Sequence, residues 1–169
     1  GVDVSSPYAR MVIDIGEGVS DCAIIQSSKI MTTCAVRIGC ARMRQEIARA
    51  AEQRGNQAVT DEEAEEILRS SGVAAFASDR QSASALDGVV EEILAAINSF
   101  LLDLPHTLGS EIIDNGIWLT GGGALIPGIR ERLEERTGIN VRTVGNPLFA
   151  VIEGARDILP VVAALNQWR

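Results

Sequence analysis

Two short segments of this sequence combine glycine with polar residues in spacings that suit an anion. The first runs Asp14-Ile15-Gly16-Glu17-Gly18-Val19-Ser20-Asp21. Gly16 and Gly18 carry no side chain to keep a ligand off the backbone, and both can take φ > 0. Successive N–H groups in such a turn converge on one concavity and bind a phosphate. Asp14 ends an apolar run and would face the turn, where a carboxylate can hold the waters of a phosphate-bound Mg²⁺. Ser20 adds a hydroxyl donor. The same residues would also make a plain hairpin with glycine in its turn.

The second segment is Leu119-Thr120-Gly121-Gly122-Gly123-Ala124-Leu125-Ile126-Pro127-Gly128. Three successive glycines are costly in chain entropy, so something must approach that backbone closely. A nucleotide at the mouth of a sheet, beside a helix N-terminus, is the natural candidate. The alternative is a flexible strand–helix connection, for which one glycine suffices.

The elements that must position these segments follow from hydrophobic period. Met11–Ile15 is a short β-branched run that reads as a buried strand. Ser20–Gln26 and Lys29–Arg37 read as two more, joined by turns at 16–19 and at Ser27-Ser28, and together they form an antiparallel meander. Cys40–Arg54 changes to helical spacing, with Met43, Ile47 and Ala50 in register. Thr60 followed by Glu63 is a capping box that opens a helix to about Ser70. Residues 71–83 read as a loop, and Asp87–Leu102 as an amphipathic helix closed by Pro105. Gly116–Thr120 is a strand, Ile126–Arg136 a helix with Pro127 in its first turn, and Asn140–Val144 a strand. Asn146-Pro147 opens the last helix, which carries Phe149, Val151 and Ile152. The expected fold is α/β: a five-stranded mixed sheet in the order β-β-β-α-β-α-β-α, with helices on both faces and a small helical insertion. That is the ribonuclease-H-like arrangement.

The chain has 169 residues, of which 46% are apolar but only 4% aromatic, so its core must be built from Ile, Val, Leu and Ala. A formal net charge of −8 argues against non-specific binding to nucleic acid or to an anionic membrane surface. The three cysteines, Cys22, Cys34 and Cys40, lack the spacing of a zinc site and are odd in number, so buried thiols in a reducing cytoplasm are expected. No apolar run has the length of a membrane span. His106 follows Pro105 in a loop between helices, with no partner for catalysis. The cluster Asp61, Glu62, Glu63, Glu65 and Glu66 reads as the solvated face and N-terminal charge of one helix. Trp118 reads as core, and Trp168 as cover for an apolar patch or a contact with a partner domain.

Taken together, the segments resemble the actin, sugar-kinase and heat-shock ATPase superfamily, and within it the MreB-type bacterial actins. MVIDIGEGVSDCAII is similar to the family's phosphate-2 loop, and GIWLTGGGALIPGIRERLEERTGINV, with IIDNG before it, to its adenosine loop. RIGCARMRQEI is similar to the start of the first crossover helix, TDEEAEEILRSSG to the segment that contacts ribose and adenine, and NPLFAVIEGA to the last connecting helix. The resemblance implies ATP with Mg²⁺ as ligand. It implies that Gly16, Glu17, Gly18, Val19 and Ser20 contact β- and γ-phosphates, and that Asp14 serves the metal through water. It implies that Gly121, Gly122, Gly123, Ala124, Leu125 and Glu65, with Leu68 or Arg69, line the adenosine. The sequence departs from the family in carrying Glu17-Gly18-Val19-Ser20 where MreB has Gly-Gly-Thr-Thr. Residues 73–86 also leave little room for a hairpin that MreB carries in its outer subdomain.

The resemblance covers the second half of the family's fold. It implies one domain over 1–169, with a core at 10–55 and 105–160 and a helical insertion at about 60–102. It also implies a missing N-terminal actin-like domain as partner, bearing the group that orients the attacking water, so hydrolysis would require both halves. Two functions follow as expectations. One is the nucleotide-binding half of a filament-forming cytoskeletal protein, for cell shape or for organelle positioning of the magnetosome type. The other is a degenerate actin-like domain used as a non-enzymatic interaction scaffold. A chaperone-like or sugar-kinase role fits less well, because the tail from Asn146 onward is similar to MreB. A cytoplasmic location is implied, with self-association through the shortened outer subdomain in doubt.

Overall fold

The computed structural model describes residues 2–53, 55, 58–73 and 80–166. Strands β1 (Arg10–Ile15), β2 (Ser20–Gln26) and β3 (Lys29–Val36) form the expected antiparallel meander. β4 (Ile117–Thr120) and β5 (Val141–Thr143) add in parallel, which gives one five-stranded sheet of order β3-β2-β1-β4-β5. Ser27 and Ser28 turn the β2–β3 hairpin with φ of 50° and 60°, the twist that a two-residue hairpin needs.

Residues paired across strands share a face, so the register sorts the side chains. Met11 pairs with Ile24 and Ile117, and Ile13 with Cys22 and Leu119, and all of these are buried. The β-branched residues at alternate positions of β1 therefore drive this face inward. The opposite face carries Val12, Trp118 and Arg142 in one row. Trp118 is only half-buried there, and the Arg142 guanidinium lies 5.7 Å from its ring centroid. Trp118 thus stands at a partly solvated face, where a cation can stack on an aromatic ring, and not in the core.

Helix α1 (Cys40–Gln53) buries Met43, Ile47 and Ala51. Helix α2 (Asp61–Ser71) has the predicted capping box: the Glu63 N–H donates to Thr60 Oγ1 at 3.2 Å, and the Thr60 N–H to Glu63 Oε2 at 2.8 Å. Helix α3 (Arg80–Leu102) starts seven residues before the expected Asp87. Its first turns, Arg-Gln-Ser-Ala-Ser-Ala, contain no apolar stripe, so hydrophobic period is silent there. Residues 74–79 of the expected loop, and Trp168, lie outside the described residues.

Helix α4 (His106–Asn115) replaces the expected loop, and His106 is its first residue. Pro105 just before the first turn and the pair Leu108/Ile112 at helical spacing are its signals, and Ile112 is fully buried. The helix expected from Ile126 starts later. A 3₁₀ turn spans Gly122–Leu125, and α5 runs Ile129–Thr137. Pro127 lies before α5, where its carbonyl accepts the Val73 N–H at 2.8 Å and fastens the end of α2. Helix α6 (Ala150–Asn166) leaves Phe149, Val151 and Ile152 exposed at its start. All three cysteines are free, with Cys22 and Cys40 buried and Cys34 half-buried. No helix among the described residues is long and apolar enough to cross a membrane.

Candidate functional site

The first glycine segment is a tight turn between β1 and β2, closed by the Gly16 N–H donating to Val19 O at 2.9 Å. Neither Gly16 nor Gly18 takes positive φ. The turn is instead oriented from outside by α1. The Cys40 N–H donates to Gly16 O at 3.0 Å, and the Ala41 N–H to Glu17 O at 2.8 Å. Two of the orphan donors at the start of α1 are thereby satisfied by the turn. In a trans peptide the carbonyl and the following N–H point in opposite directions. The N–H groups of Glu17 and Gly18 are therefore turned away from α1, and neither has an acceptor among the described residues. Two adjacent, unpaired N–H groups are what an anion-binding concavity requires.

This contact depends on Gly39. A Cβ at that position would sit 2.5 Å from Gly16 O and 2.6 Å from Glu17 O. Ser20 supports the same joint: it is buried, and its hydroxyl donates to Ile38 O at 2.8 Å. Its hydroxyl proton is thus given to the protein and not to the turn's open side.

The second glycine segment crosses over the end of β1. Gly121 has φ 84°, and a side chain there would run into the Asp14 carboxylate and the Ile15 carbonyl. A side chain at Gly123 would run into that of Ile15. Gly122 alone has ordinary clearance, with Leu148 Cδ2 3.6 Å from a Cβ built there. Two of the three glycines are therefore explained by the passage of one strand beneath them. The segment is pinned through Pro147, whose carbonyl accepts the Gly121 N–H at 3.1 Å and the Thr120 hydroxyl at 3.2 Å. That bond sets Leu148 over Gly122.

Between the two segments lies a cleft of about 250 Å³. Of the predicted site residues, Gly16, Glu17, Glu65, Leu68, Arg69, Gly122 and Leu125 line it. Asp14 lies beneath Gly121. Gly123 and Ala124 are the buried residues of the 3₁₀ turn, and Gly18 and Val19 lie on the β1–β2 turn outside the lining. Leu68 is buried in the floor, while the Arg69 side chain is 68% exposed and is paired with Glu65 at 2.8 Å. Cys40, Ile126 and Leu148 also line the cleft and were not anticipated. Leu125 and Leu148 are about half exposed, so they present an apolar wall to solvent. The Cys40 thiol is pushed up to about 11, chiefly by burial, and stays protonated at neutral pH.

Charge at the cleft is organised by one residue that no motif marked. Arg44 of α1 holds Glu17 with two bonds, Nη2–Oε1 at 2.5 Å and Nη1–Oε2 at 3.0 Å. It also reaches Asp61 at 2.9 Å and Glu65 at 3.1 Å on α2. The Arg44 hydrogen bond holds the Glu17 carboxyl below the usual carboxylate range. Asp14 is shifted the other way: burial first, and then the Asp21 carboxylate paired with it across β1 and β2, raise its carboxyl above the usual 3.8. Among the described residues no group of three or more His, Cys, Asp or Glu side chains could hold a metal ion by itself.

The family model described as "MreB/Mbl protein" matches residues 1–84 and 74–167, nearly the whole chain. The chain belongs to the MreB/Mbl family. It is 27% identical to the cell shape-determining protein MreB of Escherichia coli (strain K12), over 96% of this chain and 53% of that protein. Among solved structures it is similar to MreB 5 of Spiroplasma citri bound to AMPPNP, with a TM-score of 0.90, 22% identity, and coverage of 99% of this chain and 57% of that one. A MamK double helical filament shares the fold at a TM-score of 0.69 and 15% identity, over 83% of this chain and 50% of that one. This MreB/Mbl chain spans about half the length of the curated relatives it matches. Its fold is the ribonuclease-H-like fold of actin-like proteins, and the family's setting is the cytoskeleton.

Proposed function

We propose that the cleft binds ATP as its Mg²⁺ complex, and that the chain is the nucleotide-binding half of a filament-forming MreB-like actin concerned with cell shape. The observation that carries this is the pair of unpaired N–H groups at Glu17 and Gly18, turned outward by the N-terminus of α1. They suit phosphate oxygens. Across the cleft, Leu125, Ile126 and Leu148 suit the faces of a purine, while Glu65 offers a carboxylate to ribose hydroxyls. Mg²⁺ keeps most of its waters and uses phosphate oxygens as ligands, so a single nearby carboxylate, Asp14, is enough to hold it through water. A bound cation would also offset the burial and like charge that now disfavour the Asp14 carboxylate. The AMPPNP in the similar Spiroplasma citri structure supports this choice of ligand.

Phosphoryl transfer needs groups on both sides of the γ-phosphate. The cleft is one wall, so the 169-residue chain is expected to bind ATP without turning it over. The complementary wall would come from the N-terminal actin-like half of the relatives' length. The exposed apolar start of α6 and the carboxylate of Glu17 favour the alternative, a domain kept as an interaction scaffold. Filament formation accords with the fold shared with the MamK double helical filament, and organelle positioning would be a variant of that function.

A thermal-shift titration separates these functions. ATP with Mg²⁺ should raise the melting temperature, and Asp14→Ala should abolish the Mg²⁺-dependent part. No shift at millimolar ATP and Mg²⁺ would leave the scaffold function standing. Sedimentation with and without ATP then reads filament formation.

A further inference from the structure

We propose that Arg44 is a positioning residue for the nucleotide's phosphates: it neutralises Glu17 and ties the β1–β2 turn to α2, so that this turn accepts a phosphate despite a carboxylate at its tip. The proposal rests on the nucleotide function above and adds a residue on which that function depends.

Three separate segments converge on one guanidinium. Glu17 comes from the turn, Arg44 from α1, and Asp61 and Glu65 from α2. The Arg44 side chain is only 11% exposed, whereas that of Glu17 is 65% exposed. Without Arg44, then, no other described cation would hold the Glu17 carboxylate, and it would swing freely beside the two outward N–H groups. With Arg44, both of its oxygens are engaged on the α1 side. A guanidinium can do this because its five donors lie in one rigid fork, which serves several carboxylates at once.

The charge count shows why this matters for an anion. Glu17, Asp61 and Glu65 contribute three negative charges, and Arg44 with Arg69 two positive ones, which leaves one net negative charge in the network. Deleting Arg44 leaves two, directly at the cleft where a phosphate must arrive. Glu65 and Leu68 of α2 also line the cleft, so the same residue that quiets Glu17 holds the opposite wall at its working distance.

The test uses the whole chain with ADP and adenosine as probes, because only ADP carries phosphate. For Arg44→Gln, ADP affinity should fall about tenfold or more, and the loss should shrink as salt rises, since screening weakens charge repulsion. Adenosine affinity should fall far less. Adding Glu17→Gln to Arg44→Gln should restore most of the ADP affinity. Glu17→Gln alone, at an exposed side chain, should bind ADP more tightly than wild type, with a smaller change for adenosine. That arm decides the matter if circular dichroism shows Arg44→Gln to be unfolded. Equal ADP binding by Arg44→Gln and wild type overturns the role, as does a salt-independent loss shared equally by adenosine. Failure of Glu17→Gln to rescue the double variant, or weaker ADP binding by Glu17→Gln alone, also overturns it. A wild-type chain without ADP affinity contradicts the nucleotide function itself, and this role with it, which is a different result from wild-type binding that Arg44→Gln leaves untouched.

Discussion

The two glycine segments face each other across one cleft, yet glycine does different work in each. In the first, Gly16-Glu17-Gly18, the open space lies outside the turn, and the N–H groups of Glu17 and Gly18 are free to meet a ligand. In the second, Gly121 and Gly123 are small because β1 runs beneath them, and only Gly122 faces the cleft. Three glycines in a row looked like the stronger ligand signal. In the structure, most of that signal is strand packing. A run of glycine reports that something comes close; it does not say whether the visitor is a ligand or the protein's own backbone.

Substitutions can break this contrast. Gly121→Ala should be the most damaging, because φ 84° with ψ 172° is a conformation essentially reserved for glycine, which costs roughly 1–3 kcal/mol for a residue with a side chain, and the clash with β1 adds about 1–3 kcal/mol. Chemical denaturation should therefore show a loss of about 2–6 kcal/mol from these two causes together. Gly39→Ala should follow, at about 1–3 kcal/mol, since the turn must move off the start of α1; it should also weaken ATP more than adenosine. Thr60→Ala removes a cap outside the cleft lining and should cost about 1 kcal/mol with ATP affinity little changed. Gly122→Ala is the contrast itself: stability within about 0.5 kcal/mol of wild type, as for other changes that disturb no packing, but altered nucleotide affinity. If Gly122→Ala were as unstable as Gly121→Ala, the division of labour among the three glycines would be wrong.

The smallest effect distinguishes the two carboxylates by sign. Asp14 has its pKa raised, by burial and then by Asp21, so between 3.8 and its folded value the folded chain holds more proton than the unfolded one. Stability from this group falls as pH rises through that window. Glu17 has its pKa lowered by Arg44, so its contribution is present above the usual 4.5 and is lost as pH falls through its folded value. Asp14→Asn should therefore raise the melting temperature of the nucleotide-free chain slightly at neutral pH. The gain should vanish below pH 3.8. Glu17→Gln should lower the melting temperature at neutral pH, with the difference vanishing in acid.

Much of the fold was legible because its strands are short, β-branched and bounded by glycine or serine. β2 runs from Ser20 to Gln26 as expected, and the Thr60–Glu63 capping box is present. Helix α4 is hidden in the sequence because Pro105 both ends the stretch after α3 and opens the next helix. Within the site, glycines and charged residues near motifs could be named from sequence. Their orientation could not: Ser20 has the right type and place for a phosphate contact, but its hydroxyl is committed to Ile38. Arg44 was invisible because its partners lie 17 to 27 residues away along the chain, on another helix and in a turn. Leu148 was seen only as the start of a helix, because its place over Gly122 comes from the Pro147 carbonyl.

The most direct test of the central claim is to follow individual backbone amides by NMR while MgATP is added to the whole chain. The amide resonances of Glu17 and Gly18 should move strongly, with Gly122 moving less, while those of Gly121 and Gly123 stay nearly fixed. Saturating MgATP that leaves Glu17 and Gly18 unmoved, or that moves Gly121 and Gly123 instead, would contradict the assignment of the phosphate site to the first turn.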